Sequence, residues 1–320
     1  MHRASGQGDL SEAFLPAGLG RNARLERIAQ AFDWSALERQ LAPIYAARTG
    51  RPSYPPLCLF KALLLQQWYG LSDPALEEAL ADRLSFRRFV GLAASEGTPD
   101  HSTLSRFRKA LRITGLDQAL MDEIGRQLEA GGLVVKTGTL LDATLGEAQV
   151  RPPSHAAGPG AQSPQDPEAQ WTRKGGQSHF GYKAHVAVDA GSGLIRRAIL
   201  TSARLNESLV ADALICGDEG AVYGDKAYES KQRRARLKAL GIKDRILHRS
   251  HKNQAALPLW QARRNRLIGP IRAAVERVFG TLKRLYGWRR VRYCGLGANA
   301  THLRLLVCAY NLRRADALMA

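Results

Sequence analysis

The chain has 320 residues, 45% of them hydrophobic and 24% charged, enough to bury a sizeable core and to divide into two units. Its four cysteines, Cys58, Cys216, Cys294 and Cys308, form no CxxC pair, which excludes a zinc knuckle and a disulfide framework and fits a reducing cytosol. Lys and Arg number 47 against 29 Asp and Glu, a formal net charge of +18, for which a polyanionic partner is the leading physical reason.

The opening "MHRASGQGDL" has no apolar signal core, and the run "LCLFKALLLQQW" is broken by Lys61, so neither export nor a membrane span is expected. Residues 1–23 read as a tail, and residues 24–130 as a helical domain. In "LERIAQAF", "LCLFKALLLQQWYG", "PALEEALADRL" and "STLSRFRKALR" apolar residues recur at three- and four-residue steps. Asp100, Ser102 and Thr103 are candidate caps for the last of these helices, which carries Arg106, Arg108 and Lys109. Such a helix suits a DNA major groove, as in helix-turn-helix modules, while Leu104, Phe107 and Leu111 suit a packed core.

From about residue 133 the period changes. "LVVKTGTLLDATL" reads as a strand ending on Asp142-Ala143-Thr144, and residues 131–320 form a second, α/β domain. An insert over residues 151–178, rich in Pro, Gly, Ser and Gln at its start, reads as flexible. "FGYKAHVAVDAGSGLIRRAILTSA" then alternates and turns as a β-hairpin. A helix ("NESLVADALI"), a strand ("GAVYGD"), a basic helix ("SKQRRARLKAL") and a strand ("DRILH") follow, the alternation of a mixed sheet with covered faces. This puts Asp225 at the carboxyl end of a strand, where α/β sheets place functional groups; the other reading of Asp225-Lys226 is a charged turn.

Charge concentrates at the end. From Lys231 on there are 22 Lys and Arg against three acids, Asp244, Glu276 and Asp316, leaving 25 basic and 26 acidic side chains before it. Phosphate neutralisation by such a segment releases counterions; a charged solvated surface is the alternative. "PIRAAVERVFGTLKRLYG" reads as a helix opening on Pro270, with an apolar stripe at Ile271, Val275, Val278, Leu282 and Leu285. Glu276 stands beside the stripe, with Arg272 four residues before it and Lys283 seven after. In "LHRSHKNQ", His248 and His251 read as a basic loop rather than a zinc pair, for want of a third ligand. Trp171, Trp260 and Trp288 could stack on unpaired bases or pack in the core.

Asp142, Asp225 and Glu276 can meet only if the two strands are neighbours. A site of three carboxylates would take hard Mg²⁺ or Mn²⁺, and two such ions support in-line displacement at phosphorus. Taken singly, each acid suits a cap, a turn or an ion pair, Glu276 with Arg272 among them.

The order of these segments resembles the DDE transposases of bacterial insertion sequences, specifically the insertion sequence five family within the insertion sequence four superfamily. The resemblance covers nearly the whole chain. It rests on "YPPLCLFKALLLQQWYGLSDPALEEALADRLSFRRFVGL" and "PDHSTLSRFRKAL", on "LLDATL", on "DPEAQWTRKGGQSHFGYKAHVAVD" and on "VYGDKAYES". The superfamily's third block has Tyr, Arg, Glu and Lys at fixed spacing; Arg272, Glu276 and Lys283 match it, and Gly269 stands where the Tyr would be. The resemblance implies a ribonuclease-H-like core of mixed α/β class behind an all-α DNA-binding domain, with Asp142, Asp225 and Glu276 as catalytic residues and metal ligands. Two Mg²⁺ or Mn²⁺ ions are expected at these acids, with phosphate or transition-state contacts from Lys226, Arg272 and Lys283 and DNA contacts from Arg106, Arg108 and Lys109. The implied partners are terminal inverted repeats, target DNA and a second copy in a synaptic homodimer, in a bacterial cytoplasm. A transposase-derived DNA binder and a nuclease without strand transfer share these features.

Overall fold

The computed structural model of the chain describes residues 18–44, 53–154, 162–250 and 256–320. It divides into two compact units, one of Met1–Ala130 with Arg304–Ala320 and one of Gly131–Leu303.

The first unit is helical: α1 Ala23–Ala31, α2 Trp34–Leu41, α3 Pro56–Tyr69, α4 Asp73–Asp82, α5 Leu84–Val90, α6 His101–Thr114 and α7 Leu116–Ala130. Local chemistry sets their starts. Asn22, Asp33, Ser72 and Asp100 each accept an N–H from the first turn of the helix they precede, meeting donors that have no partner within the helix. Of the three candidate caps on α6, Asp100 is the one used, accepting from Thr103 N at 2.6 Å. Helix α3 is apolar on nearly all sides, so it lies at the centre with Leu59, Phe60, Leu63, Leu64 and Trp68 buried. Lys61, which interrupts that run, lays its ammonium over the Trp34 ring at 4.5 Å.

The last helix, α12 Leu296–Met319, departs from expectation. Residues 304–320 were expected with the α/β domain but group with the helical unit. The reason lies in polar ties: Trp68 Nε1 donates to the Ala309 carbonyl at 2.8 Å, Arg27 forks onto Asp316 at 2.6 and 3.0 Å, and Arg304 meets Asp117 at 2.8 Å.

The second unit is built on a six-stranded sheet, of β1 Thr139–Glu147, β2 Gln170–Lys174, β3 Gln177–Asp189, β4 Ile195–Ser202, β5 Ala221–Gly224 and β6 Lys243–Ile246. β3 pairs antiparallel with β1 on one side and with β2 and β4 on the other; β5 and β6 run parallel to β1 beyond it. The hairpin of β3 and β4 turns where "DAGSG" predicts, with the Asp189 carboxylate accepting from Lys136 N and Ser192 N at 2.8 Å each. Two expectations are corrected. Asp142 is the fourth residue of a nine-residue strand, not its end, because β3 continues the pairing as far as Glu147. Within the expected flexible insert, Gln170–Lys174 is strand β2 and β3 begins at Gln177; residues 155–161 lie outside the described ones.

One face of the sheet carries Leu141, Ala187 and Val222, packed with Leu214 of the short helix α8 Ala211–Leu214 and Leu237 of α9 Lys231–Ala239. The other is covered by α11 Val275–Leu285, whose Val275, Val278 and Leu282 are buried. That helix was expected to begin at Pro270. Instead Pro270 lies in the last turn of a separate helix, α10 Leu259–Arg272. The chain tightens to three-residue hydrogen bonds at the break, Ala274 N to Ile271 O and Glu276 N to Ala273 O, before α11 starts. The stripe accordingly loses its ends: Ile271 and Leu285 are exposed. The architecture is the expected α/β class with a mixed sheet and a helical unit before it, and no helix among the described residues is long and apolar enough to cross a membrane.

Candidate active site

Side chains alternate along a strand. Leu141 faces α8 and α9, so Asp142 faces α11. Parallel pairing matches Thr139 with Val222 and Leu140 with Tyr223; continuing that register by two residues brings Asp142 level with Asp225. Asp225 directly follows β5 and caps a single turn, Lys226–Tyr228, accepting the Ala227 N–H at 2.7 Å. Glu276 stands in the first turn of α11.

Arg272, the last residue of α10, links the sheet acid to the helix acid. Its Nη2 donates to Asp142 Oδ2 at 3.3 Å and to Glu276 Oε1 at 3.2 Å. Asp142 is buried and Glu276 is exposed, so the guanidinium spans from the floor of the site to its rim. Burial, above all, raises the Asp142 carboxyl to about 6; the Asp225 charge pushes the same way, while the Ala143 N–H, Arg272 and Lys174 oppose it. Lys283 is lowered by burial and then by repulsion from Lys174 and Arg289. Basic groups therefore crowd this face, and Lys174 and Arg289 are two that sequence reasoning missed. Lys174 sits in "WTRKGG", which was read as part of a flexible insert; its pairing with β3 is what brings it here.

Lys226 is exposed beside Asp225. On α6, Arg106 and Lys109 are exposed, but Arg108 is not available to a ligand: it is buried and ion-paired with Asp73. The groove face of that helix is thus narrower than expected, because one of its three cations completes the unit's own core. His248 is also corrected. It is buried, with Nδ1 at 3.4 Å from Glu229 Oε1 and its N–H on Asn265, so it is not a solvated loop residue; His251 lies outside the described residues. Trp288 is buried, Trp171 packs on Phe180, and Trp260 is exposed.

Asp142, Asp225 and Glu276 would offer oxygen donors only, which suits a hard divalent cation, and a cation there would relieve the cost of ionising the buried Asp142 carboxyl. The three do not crowd as tightly as another group. Among the described residues, Cys216, Asp218 and Glu219 are the trio whose donor atoms lie within 4.8 Å of one another. That trio is already engaged: Asp218 pairs with Lys136 and Arg196, and Glu219 accepts the N–H groups of Cys216, Gly217 and Asp218. Its carboxylates hold a turn together.

Residues 135–312 match the family described as transposase DDE domain, and residues 15–110 match the transposase domain family DUF772. Among solved structures, the cryo-EM structure of the piggyBac transposase synaptic complex with hairpin DNA is similar at 8% identity, over 94% of this chain and 74% of that one, with a TM-score of 0.45. A likeness that slight bears on neither fold nor activity here.

Proposed function

Since this chain belongs to the DDE transposase family, we propose that it is an insertion-sequence transposase of the insertion sequence five family, within the insertion sequence four superfamily. It cuts DNA at the terminal inverted repeats of its element and joins the freed 3′-hydroxyl ends to target DNA, with Asp142, Asp225 and Glu276 as the catalytic carboxylates. DDE transposases depend on a divalent metal; here Mg²⁺ or Mn²⁺, as a pair of ions, would supply Lewis-acid polarisation at the scissile phosphate.

The observation that most supports this reading is the chain Asp142–Arg272–Glu276, with Asp142 level with Asp225 just past the end of the adjacent parallel strand. Asp142 lies within β1 and Asp225 directly follows β5, so the pairing of these two strands sets where both acids stand. Glu276 is exposed at the rim and approaches from a helix. Arg272 neutralises two of the three acids in the free protein and is the residue able to exchange a carboxylate for a phosphate oxygen, since its fork suits both. Lys226, exposed beside Asp225, and part-buried Lys283 of α11 add cations, and Arg106 and Lys109 of α6 are exposed to hold repeat DNA. Synapsis of two ends calls for two copies of the chain.

The test is cleavage and joining of a duplex carrying the element's terminal repeat with Mg²⁺, for wild type and Glu276→Gln. The expected result is that wild type cuts and joins while the variant binds the duplex and does neither. Cutting without joining would instead point to a nuclease, and binding without chemistry in either protein to a DNA-binding derivative.

A further inference from the structure

Helix α10 is inverted. A surface helix ordinarily turns its apolar side chains inward and its charges outward. Here Leu259, Leu267 and Ile271 are 84%, 75% and 45% exposed. The inward side is polar instead: Arg264 donates to the Ile246 carbonyl at 2.7 Å, Asn265 exchanges two hydrogen bonds with the backbone of His248, and Arg272 meets Asp142 and Glu276. Ile268 alone in this helix is fully buried. At 100° per residue the exposed positions fall on one arc, with Arg263, Arg266 and Pro270 at its centre and the apolar side chains and Trp260 among them.

Exposed apolar side chains on that scale mark a surface that something covers, and charge decides what. Between Asp244 and Glu276 the chain has no acidic residue and seven Lys and Arg. The unit that carries α10 has 28 basic against 13 acidic side chains, so a second copy of it would meet this face with like charge. The helix also ends on Arg272, in the candidate active site itself. Resting on the transposase reading above, we propose that the outward face of α10 is a DNA-contacting surface. It holds the duplex along the helix whose C-terminal residue reaches the site, with Arg263 and Arg266 on phosphates, Leu267 and Ile271 against sugar and base edges, and Trp260, edge-on to His248 at 5.3 Å, presenting its exposed side.

The experiment titrates the full chain with a fluorescein-labelled random-sequence duplex of about 30 base pairs, between about 50 and 200 mM salt. The paired substitution Arg263→Glu, Arg266→Glu is expected to weaken binding by roughly tenfold or more and to lower the slope of log affinity against log salt by about two, one per lost phosphate contact. DNA should also change the tryptophan emission of wild type by a component that Trp260→Phe lacks. If the reversal lowers the melting temperature, Arg263→Gln, Arg266→Gln is read in its place, with the same change in slope expected. Unchanged affinity and slope in a folded variant overturn the proposal. So does conversion of a dimer to a monomer by Leu267→Ser with DNA affinity intact, which would make the face a contact between copies. The two readings fail separately: should Glu276→Gln still cut and join while the Arg263, Arg266 variant loses DNA, the catalytic assignment falls and the DNA face stands.

Discussion

Asp142 bears the electrostatic cost of the site. A free aspartate titrates near 3.8 and Asp142 near about 6, so between those values the folded chain holds a proton that the unfolded chain has released. Stability therefore falls as pH rises through that window. Without divalent metal, Asp142→Asn should be more stable than wild type at pH 7.5, by up to about 3 kcal/mol, and the difference should vanish below about pH 4. Thermal melts across pH decide it; a difference that does not change with pH would refute the assignment. Arg108 makes the opposite case, a cation whose role is internal. Its removal would take the charge partner from part-buried Asp73, which keeps the Gln66 donor, so Arg108→Ala should cost about 1–3 kcal/mol of stability. Arg106→Ala, on the same helix but exposed, should change stability by less than about 0.5 kcal/mol and weaken DNA binding instead. Denaturant titrations of the two variants compare these directly.

At the scale of elements, the position of Asp142 depends on the nine-pair register between β1 and β3, and Gly181 lets its last pair close. Gly181 pairs with Glu147 at a φ of +153°. A Cβ there would run into the Gly146 carbonyl oxygen and stand 2.6 Å from Ala148 N. Gly181→Ala should cost on the order of 3 kcal/mol and raise amide exchange along Gly146–Ala148, while Ala substitution at Gly175, in the open turn between β2 and β3 but also at positive φ, should cost only about 1 kcal/mol. Equal losses at both glycines would mean that close approach is not what Gly181 provides. Helix α10 shows what pattern reading misses at this scale. Its apolar residues face solvent and its polar ones face the sheet, so a search for a buried apolar stripe starts the helix at Pro270 instead of Leu259.

Taken whole, the molecule separates its charge. The α/β unit has 28 basic and 13 acidic side chains, and the helical unit 19 and 16. Affinity for non-specific duplex should fall steeply and linearly with the logarithm of salt, with most of the slope from the α/β unit; a nearly flat dependence would count against a nucleic-acid partner. The helical unit in turn needs the chain's last residues. A chain ending at Leu303 loses Asp316 from Arg27, Arg304 from Asp117 and the Ala309 carbonyl from Trp68. Trp68 and Asp117 are buried and lose these partners, while Arg27 is exposed, so truncation should abolish cooperative unfolding of the helical unit, as amide exchange would report.

What the sequence by itself determined is what depends on neighbours along the chain. The cap at Asp100, the hairpin turn after Asp189, the strand that delivers Asp225 and the spacing of Arg272, Glu276 and Lys283 can all be read from residues a few positions apart, because capping, turn formation and alternation are short-range effects. The tertiary structure alone decided which distant residues meet. Parallel pairing of β1 with β5 levels Asp142 with Asp225, β2 brings Lys174 toward Asp142, Asp73 takes Arg108 out of play, and residues 304–320 join the helical unit. These outcomes follow from burial and charge pairing across more than thirty intervening residues, where no local pattern carries the information.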